Sequence, residues 1–147
     1  MNINKTMMQY FEWYLQADGD LWNNISYNAS YLSSIGITSI WLPPAYKAAG
    51  GINDTGYGVY DLYDLGEFEQ KGSVPTKYGT KEQYLDAIKK LRGNGIEVLA
   101  DIVLNHKMGA DETEEVLAVK DDINNRNIDI SAPLKIRAWT KYNFPGR

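Results

Sequence analysis

Three observations predict an α/β fold built on a parallel sheet. A unit of helix, glycine, isoleucine and strand occurs twice, with Gly36-Ile37 and Gly95-Ile96 at equivalent points. The run Ile96 to Leu104 is almost continuously apolar, the pattern of a strand covered on both faces. The resulting order of strand, helix, strand, helix and strand requires parallel neighbours joined by right-handed crossovers.

Each element follows from its own residues. Met7 to Tyr14, rich in aromatics and flanked by polar residues, fits a first strand. Asp20 stands where its side chain can cap a helix whose Leu21, Ile25, Ala29 and Leu32 share one stripe. Gly36 stops that helix, and Ile37 to Leu42 supplies the second strand before Pro43 and Pro44. Thr80 and Gln83 fit a capping box for a second helix with Tyr84, Leu85, Ile88 and Leu91 at helical spacing, stopped by Gly93 and Gly95. The connection from Leu42 to Thr80 far exceeds the usual two to about six residues of such loops, and long loops in compact domains usually carry binding residues. Within it, Val59 to Leu65 alternates as a short strand or hairpin arm does, directly after Gly56-Tyr57-Gly58.

The third strand closes on Asp101-Ile102-Val103-Leu104-Asn105-His106. Counting by twos places Asp101, Val103 and Asn105 on one face, with His106, the single histidine, in the loop beyond. The C-terminal ends of such strands are where α/β proteins bind ligands. Residue pattern alone leaves blander roles open. Asp101 could bond backbone or an arginine, His106 could be a satisfied loop histidine, and Asn105 could be a turn residue. Tyr57 could pack or could stack on a flat ligand such as a sugar ring. The acidic runs at Asp111, Glu112, Glu114, Glu115 and at Asp121-Asp122 read as solvated faces, and Asp121 to Asp129 as a loop.

Longer strings add a resemblance. MMQYFEWY spans Met7 to Tyr14, a GIT, W, PPAYK pattern spans Gly36 to Lys47, and a GYG, YDLYDLGEF, QKG pattern spans Gly56 to Gly72. TKYGTK follows at Thr76, DIVLNHK at Asp101, and an AWT, NFPGR pattern from Ala138 to Arg147. In this order and spacing, nearly end to end, the chain resembles the N-terminal part of liquefying bacterial α-amylases, retaining glycoside hydrolases on a β/α barrel. The resemblance implies a partial TIM (β/α)8 barrel, with the first three βα units over residues 1–107 and the start of an inserted domain B over 108–147. It implies that Tyr57 stacks beside the sugar at the cleavage subsite, that His106 bonds a hydroxyl of that sugar, and that Asp101 braces the floor of the site. It further implies that Asn105 is a ligand of Ca2+ and that Trp13 and Asp54 line more distant subsites. The implied activity is endo-hydrolysis of α-1,4-glucosidic bonds in starch, glycogen and maltodextrins with retention of configuration. An α-glucan transferase, an oligosaccharide-trimming enzyme and a non-catalytic sugar-binding module are the alternatives.

Retaining glycosidases use two carboxyl groups about 5 to 5.5 Å apart. The family places them on the fourth and fifth barrel strands, whereas this sequence ends at Arg147, inside the expected insertion. No catalytic carboxylate is therefore expected here, and the chain alone is expected to be inactive. A closed barrel takes about 250 residues against the 147 present, so the third strand should offer an unpaired apolar edge that favours self-association.

Composition narrows the partners. With 44% hydrophobic residues the chain can bury a core, and a net charge of −4 argues against nucleic acid and anionic membrane surfaces. A neutral glucan needs no charge bias. No membrane-spanning run occurs, the absence of cysteine excludes disulfides, and one histidine disfavours zinc. Met1 to Lys5 lacks the apolar core of a signal peptide, and the first strand begins close by, which points to a cytoplasmic enzyme. A secreted protein shorn of its leader would read the same.

Overall fold

The computed structural model describes residues 4–147, so the reading of Met1 to Ile3 as lacking a signal core lies outside the described residues. These divide into two units, one running to Gly109 and including Pro145–Arg147, the other Ala110–Phe144. In the first unit, β1 (Met7–Gln9), β2 (Ser39–Leu42) and β5 (Glu97–Ala100) form a parallel sheet in the order β1-β2-β5. Helices α1 (Leu21–Ser34) and α2 (Lys81–Gly93) make the two crossovers. The sheet is open at both edges, so the barrel is not closed.

The core sits between this sheet and the helices. Trp22, Ile25, Ala29 and Leu32 on α1 and Tyr84, Ala87 and Leu91 on α2 are buried with Ile40, Leu42 and Ile96. The indole of Trp22 lies 4.9 Å from the ring of Tyr84 and 5.5 Å from that of Tyr78, within the range of favourable aromatic pairs. The capping box of α2 forms as its sequence predicts: Thr80 Oγ1 accepts from Gln83 N–H, and Gln83 Oε1 accepts from Thr80 N–H. Such a cap contributes about 1 kcal/mol.

Four expectations need correction. Asp20 occupies the N-cap of α1 but its side chain caps no backbone N–H; the carboxylate instead accepts from the Asn23 side chain, because the Asp20 backbone is helical rather than extended. Leu85 points to solvent, and Ala87 takes the buried stripe of α2. The first strand stops at Gln9, and Trp13-Tyr14 form a turn. The third strand ends at Ala100 and is not covered on both faces. Leu99, Ile102 and Leu104 are exposed, Leu104 by 77%. Beyond Ala100 the pairing with β2 continues for one more bond, Asp101 N–H to the Leu42 carbonyl at 3.3 Å, and then a side chain takes over, Val103 N–H donating to the Tyr46 hydroxyl at 2.7 Å.

The long connection holds the predicted hairpin arm. Strands β3 (Lys47–Ala48) and β4 (Val59–Asp61) pair antiparallel around a short 3-10 turn, Gly51–Asn53. A polar core lies beneath this hairpin. The Lys47 side chain is 0% exposed, and its ammonium donates to the carbonyls of Phe68 (3.1 Å), Ser73 (2.5 Å) and Val74 (2.7 Å) and faces Asp64 at 3.6 Å. Gln70 Nε2 donates to Asp61 at 3.0 Å and to Asp64 at 2.9 Å, and Asp64 Oδ1 accepts the backbone N–H groups of Gly66, Glu67 and Phe68. Burial pushes the Asp64 carboxyl up, but the Glu67 N–H, the Gln70 amide, the Gly66 N–H and the Lys47 charge outweigh it and hold it below its ordinary value.

The second unit is built on an antiparallel ribbon, β6 (Glu112–Ala118) with β7 (Leu134–Lys141). Its acidic run is solvated, as the sequence suggests, and also ordered by partners. Glu112 pairs with Lys141 at 2.6 Å and Glu115 with Lys135 at 2.7 Å, while Asp111 accepts from the N–H groups of Asn143 and Phe144. Such exposed pairs contribute little individually.

Candidate functional site

The six residues singled out from the sequence gather around Tyr57, beyond the C-terminal end of β5. The Tyr57 hydroxyl donates to Asp101 Oδ2 at 2.8 Å, and Trp41 Nε1 donates to the same oxygen at 3.2 Å. His106 Nε2 lies 2.8 Å from the Tyr57 carbonyl oxygen and therefore carries the proton; its Nδ1 then accepts from Asn105 Nδ2 at 3.3 Å. With its amide nitrogen turned to His106, Asn105 keeps its own Oδ1 as a candidate cation ligand. The Trp13 indole stacks on the Tyr57 ring, centroids 5.9 Å apart and planes 9° apart, with Trp13 59% exposed. Asp54 holds the loop itself: its carboxylate accepts the N–H groups of Gly50 (3.1 Å), Gly56 (3.0 Å) and Gly58 (3.3 Å).

The glycines flanking Tyr57 are explained by crowding of the backbone rather than by freedom of the ring. Gly56 has φ +95°, and a Cβ there would lie 2.7 Å from Pro44 Cβ; a Cβ on Gly58 would run into the Asp54 carboxylate. Burial, the hydrogen bond to Asp101 and the charge of that carboxylate raise the Tyr57 hydroxyl far above the ordinary tyrosine value. It remains a protonated donor throughout the physiological range.

Sequence reasoning missed three supports. Trp41 bonds Asp101 and meets Phe11 edge-on at 5.3 Å; Tyr46 orders the backbone at Val103; and Tyr78 donates to the Thr55 carbonyl at 2.8 Å. The available signal was strand parity: Trp41 is directly opposite Leu99 in the β2-β5 ladder, two residues before Asp101. Calcium takes about six to eight oxygens. Among the described residues no group of three His, Cys, Asp or Glu side chains is placed to hold a metal. Among the described residues, too, no helix is long and apolar enough to cross a membrane.

A carboxylate, an amide, an imidazole and two stacked aromatics thus gather at the C-terminal ends of parallel strands, the end at which β/α-barrel proteins bind their ligands. The pattern described as Alpha amylase, catalytic domain, matches residues 5–131, and the chain belongs to the α-amylase family. It is 60% identical over 145 residues to an α-amylase of Geobacillus stearothermophilus, covering 99% of this chain and 26% of that protein. To a glucan 1,4-alpha-maltohexaosidase of Bacillus sp. (strain 707) it is 58% identical, covering 98% of the chain and 28% of the relative. The chain thus spans little more than a quarter of these relatives. Truncated alternansucrase from Leuconostoc mesenteroides NRRL B-1355 superposes with a TM-score of 0.79 over 95% of the chain and 13% of its own length, at 27% identity. The fold is therefore the first part of the TIM-barrel architecture, three parallel strands without closure.

Proposed function

We propose that this chain forms the N-terminal part of an endo-acting, retaining α-1,4-glucan hydrolase and supplies part of the wall that holds the sugar on the non-reducing side of the cleaved bond. One observation carries the reading: Trp13, Tyr57, Asp101 and His106 assemble at the strand tips, an aromatic face beside hydrogen-bonding groups. In this reading the Tyr57 ring stacks on the sugar, His106 bonds a hydroxyl, and Asp101 fixes the Tyr57 hydroxyl. Asn105 Oδ1 is one ligand of a structural calcium ion whose remaining ligands lie on other segments. The carboxylate pair that breaks the bond is not in this chain, because Asp101 alone provides no partner acid at the required separation.

Release of reducing ends from soluble starch tests this. The intact protein is expected to be active and the 147-residue chain alone inactive; hydrolysis by the chain itself would refute the carboxylate argument. Maltooligosaccharide should shift the NMR signals of Tyr57 and His106, and unchanged signals there at saturating sugar would sink the binding role. Likeness to alternansucrase supports a second reading, an α-glucan transferase. Products longer than the supplied maltooligosaccharide would establish it.

The open β5 edge, with Leu99, Ile102 and Leu104 exposed, suits association of the isolated chain with a second copy. Light scattering during size-exclusion chromatography is expected to give a mass above the 16.6 kDa of one chain, and a folded monomer contradicts this.

A further inference from the structure

The first unit is interrupted between Gly109 and Pro145, and both ends of the interruption are fastened to the hairpin that presents Tyr57. On the outgoing side, His106 bonds the Tyr57 carbonyl, Met108 N–H donates to the Val59 carbonyl at 2.7 Å, and Lys71 Nζ donates to the Gly109 carbonyl at 2.7 Å. The same ammonium stands 3.9 Å from the centre of the Tyr60 ring. On the returning side, Gly146 lies so close to the Glu69 carbonyl that any side chain there would overlap it. Arg147 Nε reaches Asp61 Oδ2 at 3.1 Å, with its guanidinium 5.6 Å from the Tyr63 ring centre.

Asp61 is no ordinary surface partner. Its side chain is 1% exposed against 34% for Arg147, and it ends β4, the strand that begins two residues after Tyr57. Its Oδ1 accepts from Tyr63 N–H at 3.0 Å, and its Oδ2 shares the Gln70 amide with Asp64. A charge-assisted bond to a carboxylate this far removed from water is worth more than an exposed ion pair.

We propose that Arg147 is a positioning residue for Tyr57. Its bridge to Asp61 closes the returning end of the insertion onto β4 and so adds to the bonds that hold the aromatic platform in place. The effect on sugar rests on the function proposed above; the mechanical coupling does not.

The test uses Arg147→Gln and Arg147→Lys in the intact protein, with amide hydrogen exchange as the first readout. Exchange of the Gly58 to Asp61 amides is expected to quicken about tenfold in Arg147→Gln and less in Arg147→Lys, while the Ile25 and Leu91 amides in the two helices keep their rates. KM for maltooligosaccharide is expected to rise about fivefold with kcat nearly unchanged, as loss of uniform binding requires. Unchanged exchange at β4, or equal acceleration in the helices, overturns the proposal, the latter by reducing Arg147 to a contributor to global stability. Faster exchange at β4 in a protein that binds no maltooligosaccharide leaves the coupling intact and removes the sugar reading instead. Should Arg147→Gln not fold, Lys71→Met loosens the outgoing end, and the same exchange pattern is expected from it.

Discussion

Lys47→Met is expected to destabilise the first unit by about 3 to 5 kcal/mol, because it leaves the buried Asp64 carboxylate without its cation. Methionine fills the space of the lysine stem, so little of the loss comes from packing. It arises from Asp64, which keeps its three backbone N–H donors but loses the ammonium at 3.6 Å, and from the carbonyls of Phe68, Ser73 and Val74, which lose their common donor. Urea unfolding checks this through a lower midpoint at constant slope. Adding Asp64→Asn removes the stranded charge and should recover part of the loss, and a double-mutant cycle measures the coupling. If Lys47→Met unfolds within about 1 kcal/mol of the natural protein, the polar core is not a stabilising unit.

The pH dependence of that difference has a definite sign. Asp64 has a folded-state pKa below its unfolded value of about 3.9, so its contribution is fully present above that value and is lost as pH falls through the lower, folded one. The natural protein should therefore lose more stability than the Lys47→Met, Asp64→Asn double variant on acidification below about pH 4.

Asp101→Ala is expected to lower kcat/KM for maltooligosaccharide in the intact protein by about 100-fold. Both the Tyr57 hydroxyl and the Trp41 indole N–H donate to one oxygen of Asp101, and a hydrogen bond to a charged group is worth about 1.5 to 3 kcal/mol. Asp101→Asn keeps an acceptor oxygen in that place and loses only the charge, so about a tenfold loss is expected. The comparison separates holding the Tyr57 ring from supplying negative charge. Equal losses in the two variants would assign the role to charge alone, and no loss in either would remove Asp101 from the site. Since the Tyr57 hydroxyl is raised well above its ordinary value, its titration should not limit activity on the alkaline side below about pH 10.

Local rules made much of the fold legible. Helical spacing located α1 and α2, Thr80 and Gln83 fixed one helix start, and the paired Gly-Ile steps pointed to parallel strands, which the structure arranges as β1-β2-β5. The candidate site could be named from the sequence because Tyr57, Asn105 and His106 stand in distinctive strings and Asp101 interrupts an apolar run, and the structure brings these four side chains together. Exposure of the third strand was not legible. A continuous apolar run records what a strand buries in its complete surroundings, and here β5 has β2 on one side only.

What the sequence determined by itself was whatever depends on neighbours a few residues away: the location of the helices, the capping box, the turn glycines and the family strings. Only the tertiary structure decided that Asp54 braces the backbone of Gly50, Gly56 and Gly58, that Trp41 shares Asp101 with Tyr57, and that Lys47 lies buried among carbonyls and a carboxylate. The reason is that burial of a charge and the sharing of one acceptor are fixed by which distant segments meet. Lys47 reads as a surface residue until Phe68, Ser73 and Val74 close over it.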